Sequence, residues 1–269
     1  MAALICPICR LALEQGDTLW RCERGHSFDR AREGYVNLLP VQHKNSRDPG
    51  DEPQMVMARR AFLEAGHYRP LRDAVLALLA PLKAQTLLDI GCGEGDYTGA
   101  FTDIATDVVG LDIARLAIRL AAKRFRQITW LVGSGAHLPL ADASVDVVTN
   151  LFTQLHVSEM QRVLRPAGHL LVVTPSPRHL WALREQLFDE VREHDPDKFM
   201  AALSPAFDPL SRTELRVPLR LSQPALQQLL QMTPYAWKAR PEKRAALATF
   251  EGFETEAVFS LMLFTVRLT

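Results

Sequence analysis

Five short runs of β-branched and aliphatic residues, each followed by a segment of helical length, set the strongest limit on how this chain folds. They are Thr86-Leu-Leu-Asp-Ile, Asp107-Val-Val-Gly-Leu-Asp, Thr129-Trp-Leu-Val, Val145-Asp-Val-Val-Thr-Asn and His169-Leu-Leu-Val-Val-Thr. Strands that alternate with helices are joined by crossovers, so these runs predict a parallel, doubly wound α/β sheet with helices on both faces. The end of the chain departs from that pattern. Glu214-Leu-Arg-Val-Pro-Leu-Arg-Leu alternates and Ala257 to Leu268 is one long apolar run, which together predict a closing antiparallel pair.

The first of these strands runs directly into Gly91-Cys-Gly93-Glu-Gly95-Asp96. Glycine at a strand-to-helix turn permits tight turning and lets backbone N–H groups approach a ligand. A dinucleotide fingerprint needs a glycine three residues after Gly93; Asp96 stands there, so no pyrophosphate cradle is expected. Asp112 closes the second strand, where an acidic side chain can bridge two ribose hydroxyls. Gly-x-Gly-x-Gly behind an acidic residue, Asp89, resembles the first motif of class I methyltransferases, which implies a loop that receives the methionine end of S-adenosylmethionine. The alternative is a glycine-rich turn with a packed aspartate, as many α/β folds contain. In Gly133-Ser134-Gly-Ala-His137, Ser134 and His137 could contact an adenine, although His137 reads more readily as a solvated loop residue.

The N-terminus carries Cys6-Pro-Ile-Cys9 and, after twelve residues, Cys22-Glu-Arg-Gly-His26. Two such pairs place three thiolates and an imidazole at tetrahedral corners around zinc, in a ribbon too small to fold without a metal. Four protein ligands close the coordination sphere, so the ion is expected to be structural rather than catalytic. The alternative is three buried free cysteines and an incidental histidine.

Cys92 lies alone downstream, and clustering of the other three favours metal over disulfides in a reducing compartment. No apolar run approaches the roughly 20 residues of a spanning helix, and no secretory pattern opens the sequence, so a cytoplasmic protein is expected. Lys+Arg and Asp+Glu balance at 31 each, which rules out a uniformly basic nucleic-acid binder and leaves only local electrostatic footprints. Two are visible. Arg115, Arg119 and Lys123 recur every four residues beside Arg124 and Arg126, while the ribbon and the linker after it carry Arg21, Arg24, Arg30, Arg32, Lys44 and Arg47 against Glu23, Asp29 and Glu33. A phosphate-binding stripe and a solvated helix face are both open readings of the first.

Further segments span nearly the whole chain: Gly25-His26-x-Phe-Asp29, Arg32-Glu-Gly-Tyr-Val-Asn-Leu-Leu39, Arg47-Asp-Pro-Gly-Asp51, Ala58-Arg-Arg-Ala-Phe-Leu63, Gly66-His-Tyr68, Arg165-Pro-x-Gly168, Thr174-Pro-x-Pro-Arg-His179 and Met232-Thr-Pro-Tyr-Ala-Trp237. With the cysteine pair and the glycine loop, they resemble the ribosomal RNA guanine-N1 methyltransferases that modify the hairpin-35 loop of 23S rRNA. The Arg47 and Met232 segments are more similar to the Gram-negative branch than to the branch linked to tylosin-type resistance. The resemblance implies a Rossmann-like class I fold with a mostly parallel seven-stranded sheet, a zinc ribbon that helps read RNA, and a homodimer whose ribbons border a shared RNA cleft. It implies S-adenosylmethionine held by Tyr68, the Gly93–Glu94 pair and His179, beside Asp89, Gly91 and Asp112. The expected division is a ribbon over 1–34, a linker with helices over 35–82, and a methyltransferase domain over 83–269.

One segment departs from the family. After the fourth strand the family reads aromatic-Ala-Pro, whereas this chain has Asn150-Leu-Phe152-Thr-Gln154-Leu-His156, where the reacting base is expected. Guanine N1 carries a proton that must leave; His156 and Asn150 lie nearby, but neither is assigned as its acceptor. The Asn/Asp-Pro-Pro-aromatic motif of exocyclic-amine methyltransferases is absent, and no cysteine is free for a carbon-5 pyrimidine mechanism. Two other functions stay open from sequence: a small-molecule methyltransferase with a zinc cap, and a non-catalytic RNA-binding factor.

Overall fold

The computed structural model describes residues 2–43 and 49–267. Lys44 and Arg47 of the basic cluster, and half of the Arg47-Asp-Pro-Gly segment, lie outside the described residues. A three-stranded ribbon sheet comprises β1 (Glu14–Gln15), β2 (Leu19–Arg21) and β3 (Ser27–Asp29). The main sheet takes β4 (Val36–Asn37), β5 (Thr86–Ile90), β6 (Asp107–Asp112), β7 (Thr129–Val132), β8 (Val145–Leu151), β9 (Leu164–Pro175), β10 (Phe207–Ser222) and β11 (Gly252–Val266), in the order β10-β11-β9-β8-β5-β6-β7-β4. Helices α1 (Pro53–Glu64) and α2 (Arg69–Leu79) precede β5. Then come α3 (Asp96–Ala100), α4 (Arg115–Arg124), α5 (Val157–Val163), α6 (Trp181–Leu187), α7 (Asp197–Leu203), α8 (Gln223–Gln231), α9 (Tyr235–Lys238) and α10 (Pro241–Leu247).

The five expected strands form the parallel centre, β7-β6-β5-β8-β9, and β11 closes antiparallel between β9 and β10. All five residues of β5 are buried, because helices cover both faces of a parallel sheet. The chain order reverses between β5 and β6 on one side and β8 on the other. In an open α/β sheet, that switch point is where the carboxyl ends of the strands leave a crevice.

Seven of these strands make up the expected sheet, and β4 adds an eighth from the segment read as linker. Val36 and Asn37 pair parallel with Leu131 and Val132, and the Leu38 amide donates to the Val132 carbonyl at 2.9 Å. The chain after the ribbon thus runs along the β7 edge of the sheet through Leu38. The ribbon is also welded to the larger domain. Leu4, Leu13 and Trp20 share one apolar cluster with Leu131, Leu138, Leu140 and Val148. Burial of each leucine contributes about 1.5–3 kcal/mol.

Candidate cofactor cavity and zinc site

In the ribbon, two backbone knuckles aim the ligands inward. The Arg10 amide donates to the Cys6 carbonyl at 2.8 Å, and the Gly25 amide donates to the Cys22 carbonyl at the same distance. Each knuckle has a left-handed residue, Arg10 at φ 61° and Gly25 at φ 81°. The ligand atoms of Cys6, Cys9, Cys22 and His26 all lie within 4.8 Å of one another. His26 presents Nδ1, 3.6 Å from Cys6 Sγ and 3.4 Å from Cys22 Sγ, and the thiols of Cys9 and Cys22 are 3.6 Å apart. A zinc tetrahedron with arms of about 2.3 Å has corners about 3.8 Å apart, so the donor set fits structural zinc without rearrangement.

Asp89, Gly91, Gly93, Glu94 and Asp112 line a single cavity at the carboxyl ends of β5 and β6. Asp112 organises it: its carboxylate accepts from the Gly93 amide at 2.9 Å and the Ala114 amide at 2.7 Å, tying the loop to the start of α4. Asp89 is fully engaged, with Thr98 donating at 2.6 Å and Thr149 at 2.7 Å. Burial nevertheless pushes its carboxyl up to about 6, and burial also raises Glu94 and Asp112. The third glycine serves packing. Gly95 sits at φ 82°, and a Cβ there would stand 2.6 Å from the Trp130 indole. Gly91, at φ 71°, lets Thr153 approach, where a Cβ would meet it at 2.7 Å.

Thr153 and Asp112 also border a second lobe, lined by Ser134 and His156. The two lobes share Gly91, Asp112 and Thr153 as lining residues. His137 does not line this lobe. Burial lowers the His156 imidazole below its ordinary range. The Asn150 amide is buried and donates to the Gln154 carbonyl at 3.1 Å, so it holds the β8 turn.

Two models of known families match the chain. One, described as RlmA, N-terminal, covers residues 4–47, and a methyltransferase domain model covers residues 88–172. The 23S rRNA (guanine(748)-N(1))-methyltransferase of Streptomyces fradiae is 36% identical over 90% of this chain and 88% of its own length. A Bacillus subtilis relative is 34% identical over 90% and 89%. The chain belongs to the 23S rRNA guanine-N1 methyltransferase family. Among solved structures, the N-methyltransferase NodS of Bradyrhizobium japonicum with S-adenosyl-L-homocysteine superposes with a TM-score of 0.51 at 14% identity, covering 81% of this chain and all of that one. That likeness identifies the class I fold.

Further residues line this methyltransferase's cavity beside the expected ones, and Arg59, Gly50 and Asp51 are not assigned to it from the sequence. Arg59 of α1 enters the cavity, donating to Glu94 at 3.0 Å and to Asp51 at 2.6 Å. Gly50 and Asp51, in the segment read as linker, form part of the wall. Phe152 lines the cavity in a left-handed conformation, φ 59°, and is 45% exposed. Left-handed backbone is costly for a bulky residue, and such strain concentrates at functional positions. Tyr68 and His179 are not among the lining residues. They pack on Phe259 at ring distances of 5.0 and 4.9 Å, and Phe152 meets the same ring at 5.5 Å. His179 Nδ1 lies 2.9 Å from the Val258 carbonyl oxygen, and burial lowers its imidazole to about 3.

Proposed function

We propose that the target guanine is presented in a hairpin loop of 23S rRNA, that the ribbon helps bind this RNA, and that the active form is a cytoplasmic homodimer. The reaction is methyl transfer from S-adenosylmethionine to guanine N1 in 23S rRNA. The observation that supports S-adenosylmethionine as the methyl donor is the cavity's charge. Among the described residues, Asp51, Asp89, Glu94, Asp96 and Asp112 line it with one cation, Arg59, which suits a cofactor bearing a sulfonium and an ammonium.

When bound, the cofactor supplies an electrophilic methyl group. Gly91, Gly93 and Glu94 would hold its methionine end, with Tyr68 and His179 behind Phe259 setting the shape of that wall. Asp112 would take the ribose, since its carboxylate lies between the two lobes. The protein's largest contribution is alignment of base and methyl donor. Phe152, half-exposed at the end of β8, offers a face on which an unstacked guanine can lie. Stacking on aromatic side chains is how single-stranded RNA bases are commonly held. Exposed Arg21, Arg24, Arg30 and Arg32 around the zinc ligands support a role for the ribbon in RNA binding. No helix among the described residues is long and apolar enough to cross a membrane.

The test is incubation with labelled cofactor and 23S rRNA from a strain lacking the modification, followed by mapping of the label. Label at N1 of one hairpin-loop guanine is expected. Label at another atom or on a small molecule would overturn the assignment, and a monomer active at all concentrations would remove the homodimer.

A further inference from the structure

Exposed cations on this molecule differ in whether an acidic side chain pairs with them. Those around the β10–β11 hairpin have acidic partners: Arg212 with Asp197 at 2.5 Å, Arg216 with Glu214 at 2.8 Å and Glu256 at 3.1 Å, Arg220 with Glu254 at 3.1 Å, and Arg267 with Asp208 at 2.6 Å. Such pairs on an edge strand suppress association with other strands. Arg32, Arg119, Lys123 and Arg126 lie at the surface too, yet none has an acidic partner within 4.0 Å among the described residues.

Three of these cations, Arg32, Lys123 and Arg126, converge where the ribbon meets the larger domain. Arg30, Arg32 and Arg126 line one cleft, whose floor is Ala122, Ile128 and Trp130. Arg32, Lys123 and Arg126 line the adjoining cleft of about 500 Å³. Asp17 and Glu33 also border the groove, and neither forms an ion pair with its cations. The frame is rigid. The Ala31 amide donates to the Tyr35 carbonyl and the Gly34 amide to the Ala31 carbonyl, both at 2.8 Å, closing the turn that carries Arg32. Arg115 Nε donates to the Tyr35 hydroxyl at 3.0 Å, tying that turn to α4. Among the described residues, four cations stand against two acids here, Arg30 bonded through Nε to the Gly34 carbonyl at 3.3 Å and none of the four ion-paired, and together they form a site for anionic groups.

The shape favours a strand over a small anion. Arg119 stands about one helical turn from Lys123, and α4 rises about 1.5 Å per residue from Ala114, beside the cofactor cavity, toward the groove. The cations therefore form a track of more than one position, open to solvent. We infer that the groove between the Ala31–Gly34 turn and the last turn of α4 binds backbone phosphates of the RNA substrate, at the opposite edge of the sheet from the cofactor cavity. This rests on the reading of 23S rRNA as substrate. Its role is to anchor the RNA so that the loop reaches the cofactor, since phosphate contacts position a nucleic acid without reading its sequence.

The experiment uses the full-length, zinc-loaded protein and a fluorescein-labelled unmodified 23S rRNA transcript, with binding followed by anisotropy over a salt series. A variant carrying Arg32→Ala, Lys123→Ala and Arg126→Ala should bind on the order of tenfold or more weakly. Its slope of log affinity against log salt should be shallower by about 2, from about 0.7 per lost single-strand phosphate contact. Zinc content, thermal midpoint and S-adenosylmethionine affinity should match wild type, and KM for RNA should rise more than kcat falls. A variant with Arg216→Ala and Arg220→Ala, removing paired cations, should bind as wild type. The charge-keeping variant Arg32→Lys, Lys123→Arg, Arg126→Lys should regain the slope; failure to do so would show that packing rather than charge is at stake and overturn the inference. Wild type that neither binds nor methylates the transcript would overturn the rRNA reading itself. Wild type that methylates it while the triple alanine variant matches in affinity and slope would overturn the groove alone.

Discussion

The ribbon and the cofactor cavity are both built on left-handed turns, but they are assembled at different ranges. The zinc donors all come from one stretch, Cys6 to His26, and their strands are largely exposed: both residues of β1 face solvent, and β3 buries none of its residues fully. The cavity draws on residues 50–63, 89–97, 112–113 and 151–153, and its central strand is buried at every position. A local site therefore depends on a metal to define it, and a long-range site depends on the core beneath it.

Removal of zinc gives the largest expected effect. Structural zinc contributes apparent binding free energies of about 10–16 kcal/mol in small ribbons. Chelation should expose Trp20, which packs on the shared core, and should release the ribbon amides to exchange. The methyltransferase domain should still bind S-adenosylmethionine, as followed by calorimetry. Loss of cofactor affinity together with the ribbon would break the comparison, making the two regions one cooperative unit through Leu4, Leu13 and β4.

The same difference in range explains what the sequence discloses. Cys6, Cys9, Cys22 and His26 are legible because ligand spacing along the chain maps directly onto a tetrahedron. Gly91, Gly93 and Asp112 are legible because a strand, a turn and a helix occupy consecutive residues. Arg59 is not: on an amphipathic helix it looks like any exposed cation, and only the packing of α1 against α3 brings it to Glu94. Gly50 and Asp51 resemble a linker because the contact that gives them a role, Gly50 against Ala114, spans more than sixty residues. A Cβ at Gly50 would stand 2.6 Å from that alanine. The added strand β4 is hidden for a related reason: two residues are too short for any alternation to register.

Asp112→Ala comes next in size. It removes the carboxylate that ties Gly93 to Ala114 and that would hold the ribose, through charge-assisted hydrogen bonds worth on the order of 1.5–3 kcal/mol each. Calorimetry should show cofactor affinity reduced by at least tenfold, with zinc content unchanged. Unaltered affinity would mean that the cavity is organised without Asp112.

Gly95→Ala tests the core beneath the cavity. The new methyl group meets the Trp130 indole at 2.6 Å in a backbone conformation unfavourable to alanine. Overpacking costs about 1–3 kcal/mol, and the left-handed φ adds about 1 kcal/mol more. Urea unfolding followed by circular dichroism should give a lower midpoint. The ribbon should keep its zinc, because its ligands owe nothing to this contact. A Gly95→Ala protein as stable as wild type would show that Trp130 has another place to go.

The smallest effect concerns the two histidines that the regions use differently, His26 as a metal donor and His179 as a buried neutral ring. Burial lowers the His179 imidazole from its ordinary 6.5 to about 3, so below pH 6.5 the unfolded chain takes up a proton there that the folded chain refuses. Its contribution to stability is complete above pH 6.5 and is lost as pH falls toward 3, at about 1.4 kcal/mol per pH unit. Asp89 acts in the opposite sense: raised from 3.8 to about 6, it is protonated in the folded chain first, and that offsets the loss between pH 6 and 3.8. Wild-type stability is therefore a compensated sum, and the informative quantity is a difference between proteins. His179→Asn removes only the histidine part, and any acid release of zinc from the ribbon is common to both chains. Between pH 6 and pH 5 the variant should lose about 1.4 kcal/mol less than wild type in urea unfolding. Equal losses would mean that His179 is charged or hydrated in the folded protein, and that the wall behind Phe259 is not the dry layer on which the long-range site depends.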